Sequence, residues 1–139
     1  MAIDGVEIFG FYFPLNEPKL LYWDWLLANA RAVADRDAIF LGDFNTGKIR
    51  IDEAGETLDG QDKQEALEEL GFIDTWRHFY PKGRDYTWYS SAGNGFRLDY
   101  IWASPRLARR IQRVWHDHEA RLTLASDHSA VIAELPLRE

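Results

Sequence analysis

From Val6 to Phe13 apolar side chains occupy both parities of the alternation, Val6 and Ile8 on one side and Phe9, Phe11 and Phe13 on the other. A strand of that kind has to be covered on both faces. Pro14 ends it, and Asn16-Glu17-Pro18 then supplies a cap and an early-turn proline. Trp23, Leu26, Leu27, Ala30, Val33 and Ala34 follow at helical spacing, so the stripe they form faces a core. A second short apolar run, Ala38 to Leu41, leads straight into Gly42-Asp43-Phe44-Asn45. Strand, helix and buried strand in succession define an α/β unit.

Beyond it the punctuation is less regular. Thr46 to Gly60 carries scattered glycine and acidic residues without either period and reads as a loop, and Asp62 to Leu70 reads as a helix stopped by Gly71. Asp85 to Tyr89 and Phe96 to Ala103 are rich in aromatic and β-branched types around a turn-forming Ser90 to Gly95, which predicts a hairpin. Pro105 opens a short basic helix, a strand follows near Val114 to His116, and Ala130 to Leu135 makes the last strand. No internal repeat or linker interrupts the 139 residues, which fit one domain.

The absence of cysteine removes disulfides, thiolate zinc sites and a cysteine nucleophile, so any metal must use oxygen or imidazole ligands. A net charge of −7 argues against a protein that holds nucleic acid by bulk positive charge. It leaves room for an enzyme whose carboxylates gather a divalent cation. Arg106, Arg109, Arg110 and Arg113 could then guide a phosphate backbone, although a solvated helix face is the simpler reading. There is neither a leader-like amino terminus nor an apolar run approaching roughly 18 residues. The expectation is a cytoplasmic protein without membrane contact.

Three acids, Asp43, Asp99 and Asp127, lie within or just beyond apolar strands, with Asn45 and His128 beside two of them. Each has an ordinary alternative taken singly: Asp43 capping a turn, Asp99 pairing with Arg97, Asp127 capping through its backbone. Together they suggest a hard divalent ion, Mg²⁺ or Mn²⁺, because clustered carboxylates at strand ends are costly without a cation. One carboxylate can ligate metal, another can orient an imidazolium, and a histidine can hydrogen-bond a phosphate.

Several ordered motifs, FYFP at Phe11 to Pro14, GDFN at Gly42 to Asn45, GFIDTWRHFYP at Gly71 to Pro81, YTWYS at Tyr86 to Ser90, RLDYIWAS at Arg97 to Ser104 and SDHSAV at Ser126 to Val131, carry a resemblance. In this order they resemble the exonuclease III-like branch of the endonuclease/exonuclease/phosphatase superfamily. The resemblance implies a deoxyribonuclease I-like four-layer α/β sandwich, of which this chain matches the carboxy-terminal half: one mixed sheet with helices on one face. It also implies roles. Tyr12 would reach the phosphate, Asp43 would position and activate the attacking water, Asn45 would help bind phosphate, and Asp99 and His128 would act as a pair. Asp127, with Asp43, would lie at the metal. Trp88, Phe96 and Leu98 fall where abasic-site enzymes of the family accept an extruded sugar, although ordinary hairpin packing explains them equally well. Arg77 and His78 look structural or backbone-contacting, while His116 and His118 carry no motif and are expected at the surface.

The family's first half, with an asparagine on its first strand and a metal-binding glutamate after its second, has no counterpart among these residues, so residues 1–139 are read as a single half domain. The inner apolar face of its sheet is then expected to be open to water. Truncation, a separate amino-terminal chain or a symmetric homodimer would each account for this, and the dimer is the expectation. The function expected is a metal-dependent nuclease acting on DNA, as an abasic-site endonuclease or 3′ exonuclease. The alternatives are a catalytically silent binding or assembly module and a phosphodiesterase of the same fold with a non-DNA substrate such as a phosphoinositide or sphingomyelin.

Overall fold

The computed structural model describes residues 1–136. Its centre is a five-stranded mixed sheet in the order β1 (Ala2–Ile3), β2 (Val6–Tyr12), β3 (Ala38–Asp43), β7 (Asp99–Ala103) and β4 (Ile73–Asp74). β2 and β3 run parallel and are joined by α1 (Pro18–Val33), while β7 is antiparallel to both β3 and β4. The parallel pair requires a crossover, and the apolar stripe of α1 supplies it. Trp23, Leu26, Leu27, Ala30 and Val33 of that stripe are all buried. The proline sits in the first turn as expected, but neither Asn16 nor Glu17 makes a side-chain cap, and Asn16 instead adopts a positive φ of 63°.

Phe40 and Ile39 show how the doubly apolar strands are used. Phe40 and Trp102 enter a core with α1, Leu67 of α2 (Gln61–Glu69) and Phe72, whereas Ile39 and Ile101 enter a second core on the opposite face. That opposite face is partly covered. An antiparallel ribbon, β8 (Arg113–Asp117) with β9 (Ala130–Glu134), packs there with Trp76 of α3 (Thr75–Phe79) and Leu107 of α4 (Pro105–Ala108). The two longer helices thus share one face, as anticipated, and the short α3 and α4 contribute to the other. The expectation that the inner face stands open to water is corrected in part, since Val6, Ile39, Ile101 and Ala103 on it are buried, whereas Ile8 and Leu41 remain partly exposed. The ribbon that covers it comes from the chain's own last strands.

The predicted hairpin is shorter than its sequence suggests. Only β5 (Trp88–Tyr89) and β6 (Gly95–Phe96) pair in it. The Thr87 hydroxyl accepts the backbone N–H groups of Leu98 and Asp99 at 3.0 and 3.3 Å, and the chain then joins the main sheet as β7. A run that reads as one strand is therefore divided between two sheets. The remaining helix, α5 (Glu119–Leu122), links β8 to β9.

Beneath the loop at residues 46–60 lies a buried ionic network. Arg97, 1% exposed, donates from Nε to Asp52 Oδ1 at 2.8 Å and from Nη1 and Nη2 to the two oxygens of Asp74 at 3.0 and 2.6 Å. Arg77 adds a 2.7 Å bond to the same Asp52 oxygen and holds the carbonyls of Tyr80 and Gly83, the structural role expected of it. Burial opposes ionisation of Asp52, but the facing Arg97 charge overcomes it and holds this carboxyl below its ordinary range. The network fixes the residue just before Leu98 and Asp99, and so anchors the start of β7.

Candidate active site

Strand register alone brings the first three candidate residues together. Tyr12 is the partner of Asp43 across the parallel pair, and Asp43 is the partner of Asp99 across the antiparallel one. All three therefore stand in one row at the end of the sheet. Gly42 makes the row possible. It has φ of 137°, and a Cβ there would lie 1.9 Å from the Phe11 carbonyl oxygen. A side chain cannot occupy that space, so glycine lets β2 and β3 approach immediately before the acid.

Just before β9, His128 completes the group. Its Nδ1 is 2.8 Å from Asp99 Oδ2 and its Nε2 is 3.8 Å from Asp43 Oδ2, so the imidazole stands between the two carboxylates. Asp99 therefore pairs with His128 and not with Arg97, whose guanidinium is committed to the buried network. The hydrogen bond that His128 donates to Asp99 raises the His128 pKa above its usual value against the opposing effect of burial, and the Asp99, Asp43 and Asp127 charges add to the rise. Asp43 is pushed up to about 6, chiefly by burial; the backbone N–H of Asn45 pulls it down, and the Asp99 and Asp127 charges push it further up. A carboxylate held in that state next to others is poorly compensated. Asp43, Asp99 and His128 each offer a ligand atom within 4.8 Å of the others, and this oxygen-rich, under-neutralised donor set fits a divalent cation.

A cleft of about 330 Å³ opens over this row. Tyr12, Asp43, Asn45, Asp127 and His128 line it, as do all three predicted pocket residues, Trp88, Phe96 and Leu98. Asp99 stands behind His128 and does not line it. Tyr12 projects at the rim, 77% exposed, while Leu98 is buried. The Trp88 and Phe96 rings pack at 5.6 Å, and Trp88 pairs by a β-bridge with His128, so the aromatic wall and the imidazole are held as one unit. Asn45, at φ of 44°, donates its backbone N–H to Asp43 Oδ1 at 2.9 Å and its side-chain amide to the Phe13 carbonyl at 2.7 Å. It thereby fixes the Asp43 rotamer and the end of β2 together.

Lys19 is a cleft residue that reading for motifs passes over. It is buried, donates to the Asn45 carbonyl at 2.6 Å and pairs with Asp59. The available signal is its position four residues before Trp23, on the core stripe of α1. The arginines near α4 lie elsewhere: Arg106 and Arg110 pair with Asp37, which precedes β3, at the end of the sheet opposite Asp43. Arg113 stacks on Trp115. The expectation for His116 and His118 also needs correction. His116 is buried against Trp76, its ring 4.6 Å away and stacked, and both histidines meet Asp85. Burial keeps the His116 pKa below its usual range, with Asp85 opposing.

Comparison with known proteins identifies the family of the chain. Residues 5–128 match the endonuclease/exonuclease/phosphatase family. The chain is 33% identical over 133 residues to recombination repair protein 1 of Drosophila melanogaster, covering 83% of this chain and 19% of that protein. It is 31% identical over 114 residues to a DNA-(apurinic or apyrimidinic site) endonuclease of Dictyostelium discoideum, covering 70% and 31%. Among solved structures, a 3′-5′ exonuclease from Neisseria meningitidis superposes with a TM-score of 0.81 at 28% identity, over 96% of this chain and 62% of that one. An AP endonuclease from Archaeoglobus fulgidus gives 0.78 at 27%, with the same coverage of 96% and 62%. The chain thus spans less than a third of these curated relatives and under two thirds of the solved chains. With its mixed sheet, its ordered motifs and this match along most of its length, the chain belongs to the endonuclease/exonuclease/phosphatase family.

Proposed function

We propose that the cleft is the phosphodiester-hydrolysing site of a nuclease that acts on DNA in the presence of Mg²⁺ or Mn²⁺, as an abasic-site endonuclease or 3′ exonuclease. The observation that carries this reading is the Asp99, His128, Asp43 row set against the Trp88, Phe96 and Leu98 wall. Acid chemistry and an aromatic sugar-sized recess share one cleft.

Asp43 and Asp127 would hold the divalent ion, which when bound supplies positive charge against the phosphoryl oxygens. Asp99 fixes the His128 ring and favours its protonated form, so that Nε2 can donate toward a phosphate oxygen as negative charge develops there. As a carboxylate, Asp43 accepts a proton from water and aligns that water for in-line attack. Asn45 holds Asp43 in that pose and lends its polar face to the phosphate, and Tyr12 at the rim reaches the same group. Trp88, Phe96 and Leu98 offer an apolar surface suited to a sugar turned out of the duplex without a base.

Substrate class is tested by comparing Mg²⁺-dependent turnover of an abasic duplex, a recessed 3′-end duplex, sphingomyelin and a soluble phosphoinositide headgroup by the same chain. Hydrolysis of either DNA substrate in preference to the lipid-derived esters is expected. Preference for a lipid-derived ester would refute the DNA reading. Metal binding without hydrolysis of any of the four would make the chain a silent module.

A further inference from the structure

Behind the catalytic row, on the side of β8, a second group of ligand-bearing side chains converges. Asp85 Oδ2 lies 2.9 Å from His116 Nδ1 and 3.1 Å from His118 Nε2, and one donor atom from each residue falls within 4.8 Å of the others. Ligands at about 2.0–2.1 Å around a tetrahedral ion stand about 3.3 Å apart. Small rotations of two rings and one carboxylate would seat such an ion.

The surroundings hold these rings in place. His118 Nδ1 is 2.7 Å from Ser129 Oγ, which also accepts from Arg121 Nε at 2.9 Å. A partner at the second nitrogen is what orients a ligating imidazole. His116 is clamped by its stack on Trp76, and its Nε2 is buried without a hydrogen-bond partner. Asp85 keeps 40% of its side chain exposed, which leaves a path to solvent and an open coordination position. Two imidazoles and one carboxylate suit a borderline transition ion better than Mg²⁺, which favours oxygen.

We propose that Asp85, His116 and His118 form a second metal site of the Zn²⁺ class, separate from the catalytic carboxylates. Its consequence is mechanical. Ser129 N–H donates to the Thr87 carbonyl at 2.8 Å, and Trp88 pairs with His128, so an ion joining Asp85 to β8 and its end staples the segments that carry Trp88 and His128. The inference is independent of the substrate reading.

The test is a titration of the full chain with Co²⁺ in excess Mg²⁺, followed by visible absorption, for the unmodified protein, Asp85→Asn, His118→Gln and His128→Ala. Asp85 and His118 are 40% and 29% exposed at the side chain, so these replacements should leave the fold intact, which circular dichroism verifies. The unmodified protein and His128→Ala should both bind saturably, while Asp85→Asn and His118→Gln lose about tenfold or more in affinity. Zn²⁺ should raise the Tm of the first pair and not of the second. Three outcomes would overturn the proposal: no saturable binding by the unmodified protein, binding that disappears with His128 and survives in His118→Gln, or binding unchanged in Asp85→Asn. In the first case Asp85 is simply a carboxylate accepting from two imidazoles.

Discussion

Replacing Arg97 by methionine keeps a long side chain beneath Trp76 and Tyr100 but removes the guanidinium that faces two buried carboxylates. The two acids are left in different states. Asp52 retains Arg77 at 2.7 Å and the Lys48 backbone N–H at 2.8 Å. Asp74 retains the Arg77 backbone N–H at 3.1 Å and loses both of its ionic bonds. Removing one partner of a buried pair costs about 3–5 kcal/mol, and the lost cation–π contacts, worth about 2 kcal/mol when desolvated, are offset in part by the methionine sulfur packing on the same two rings. A loss near 4 kcal/mol is a large share of an ordinary domain's 5–15 kcal/mol. In urea, with a slope of about 2 kcal/mol per molar, the unfolding midpoint read by tryptophan fluorescence should fall by about 2 M. Adding Asp74→Asn to Arg97→Met removes the uncompensated charge and should restore more than half of the loss. The acid limb provides a further check. Asp52 titrates below its unfolded value of 3.8, so its contribution is present above that pH and lost as pH falls through the folded pKa; Arg97→Met should shrink it. A destabilisation below about 1 kcal/mol, or no recovery with Asp74→Asn, would refute the view that charge compensation holds this loop.

Three other perturbations probe the site. Gly42→Ala places a methyl 1.9 Å from the Phe11 carbonyl oxygen at φ of 137°, and should cost more than about 2 kcal/mol in urea unfolding; an unaltered midpoint would contradict the close approach. Asp99→Asn should lower the His128 pKa, seen in the imidazole NMR titration. Because a raised histidine pKa stabilises below the unfolded value of 6.5 and that contribution is lost as pH rises through the folded one, the variant should flatten stability across that window. In metal-free protein the Asp43 carboxyl should titrate about pH 6 by carbon NMR. Its raised pKa makes stability fall as pH rises from 3.8 through 6, and Mg²⁺ should move the titration to lower pH; a normal value without metal would remove the case for crowding.

Local pattern carried most of the sheet and most of the cleft. β2, α1 and β3 were legible because each obeys its own period, and Asp43, Asp99 and Asp127 stood out because they interrupt apolar runs. Register then did what sequence could not, placing Tyr12, Asp43 and Asp99 side by side. The illegible parts depend on contacts between distant segments. Phe96 to Ala103 reads as one strand because nothing in it shows that the Thr87 hydroxyl will divert the chain. His116 reads as a surface residue because its cover, Trp76, lies 40 positions earlier. Arg97 invites pairing with nearby Asp99, yet its partners are Asp52 and Asp74, 45 and 23 residues away. Lys19 was readable in principle, since its place on the α1 stripe forces a buried ammonium to find partners.

The claim that Asp43 and its neighbours form a metal-dependent hydrolytic site is tested most directly by single-turnover cleavage of a duplex with one abasic site, at saturating Mg²⁺, by the unmodified chain and Asp43→Asn. The account predicts cleavage that chelation abolishes and that falls about 10²-fold or more in Asp43→Asn. Cleavage that survives chelation or persists undiminished in Asp43→Asn would contradict it, as would an Mg²⁺-bound chain that leaves the abasic strand intact.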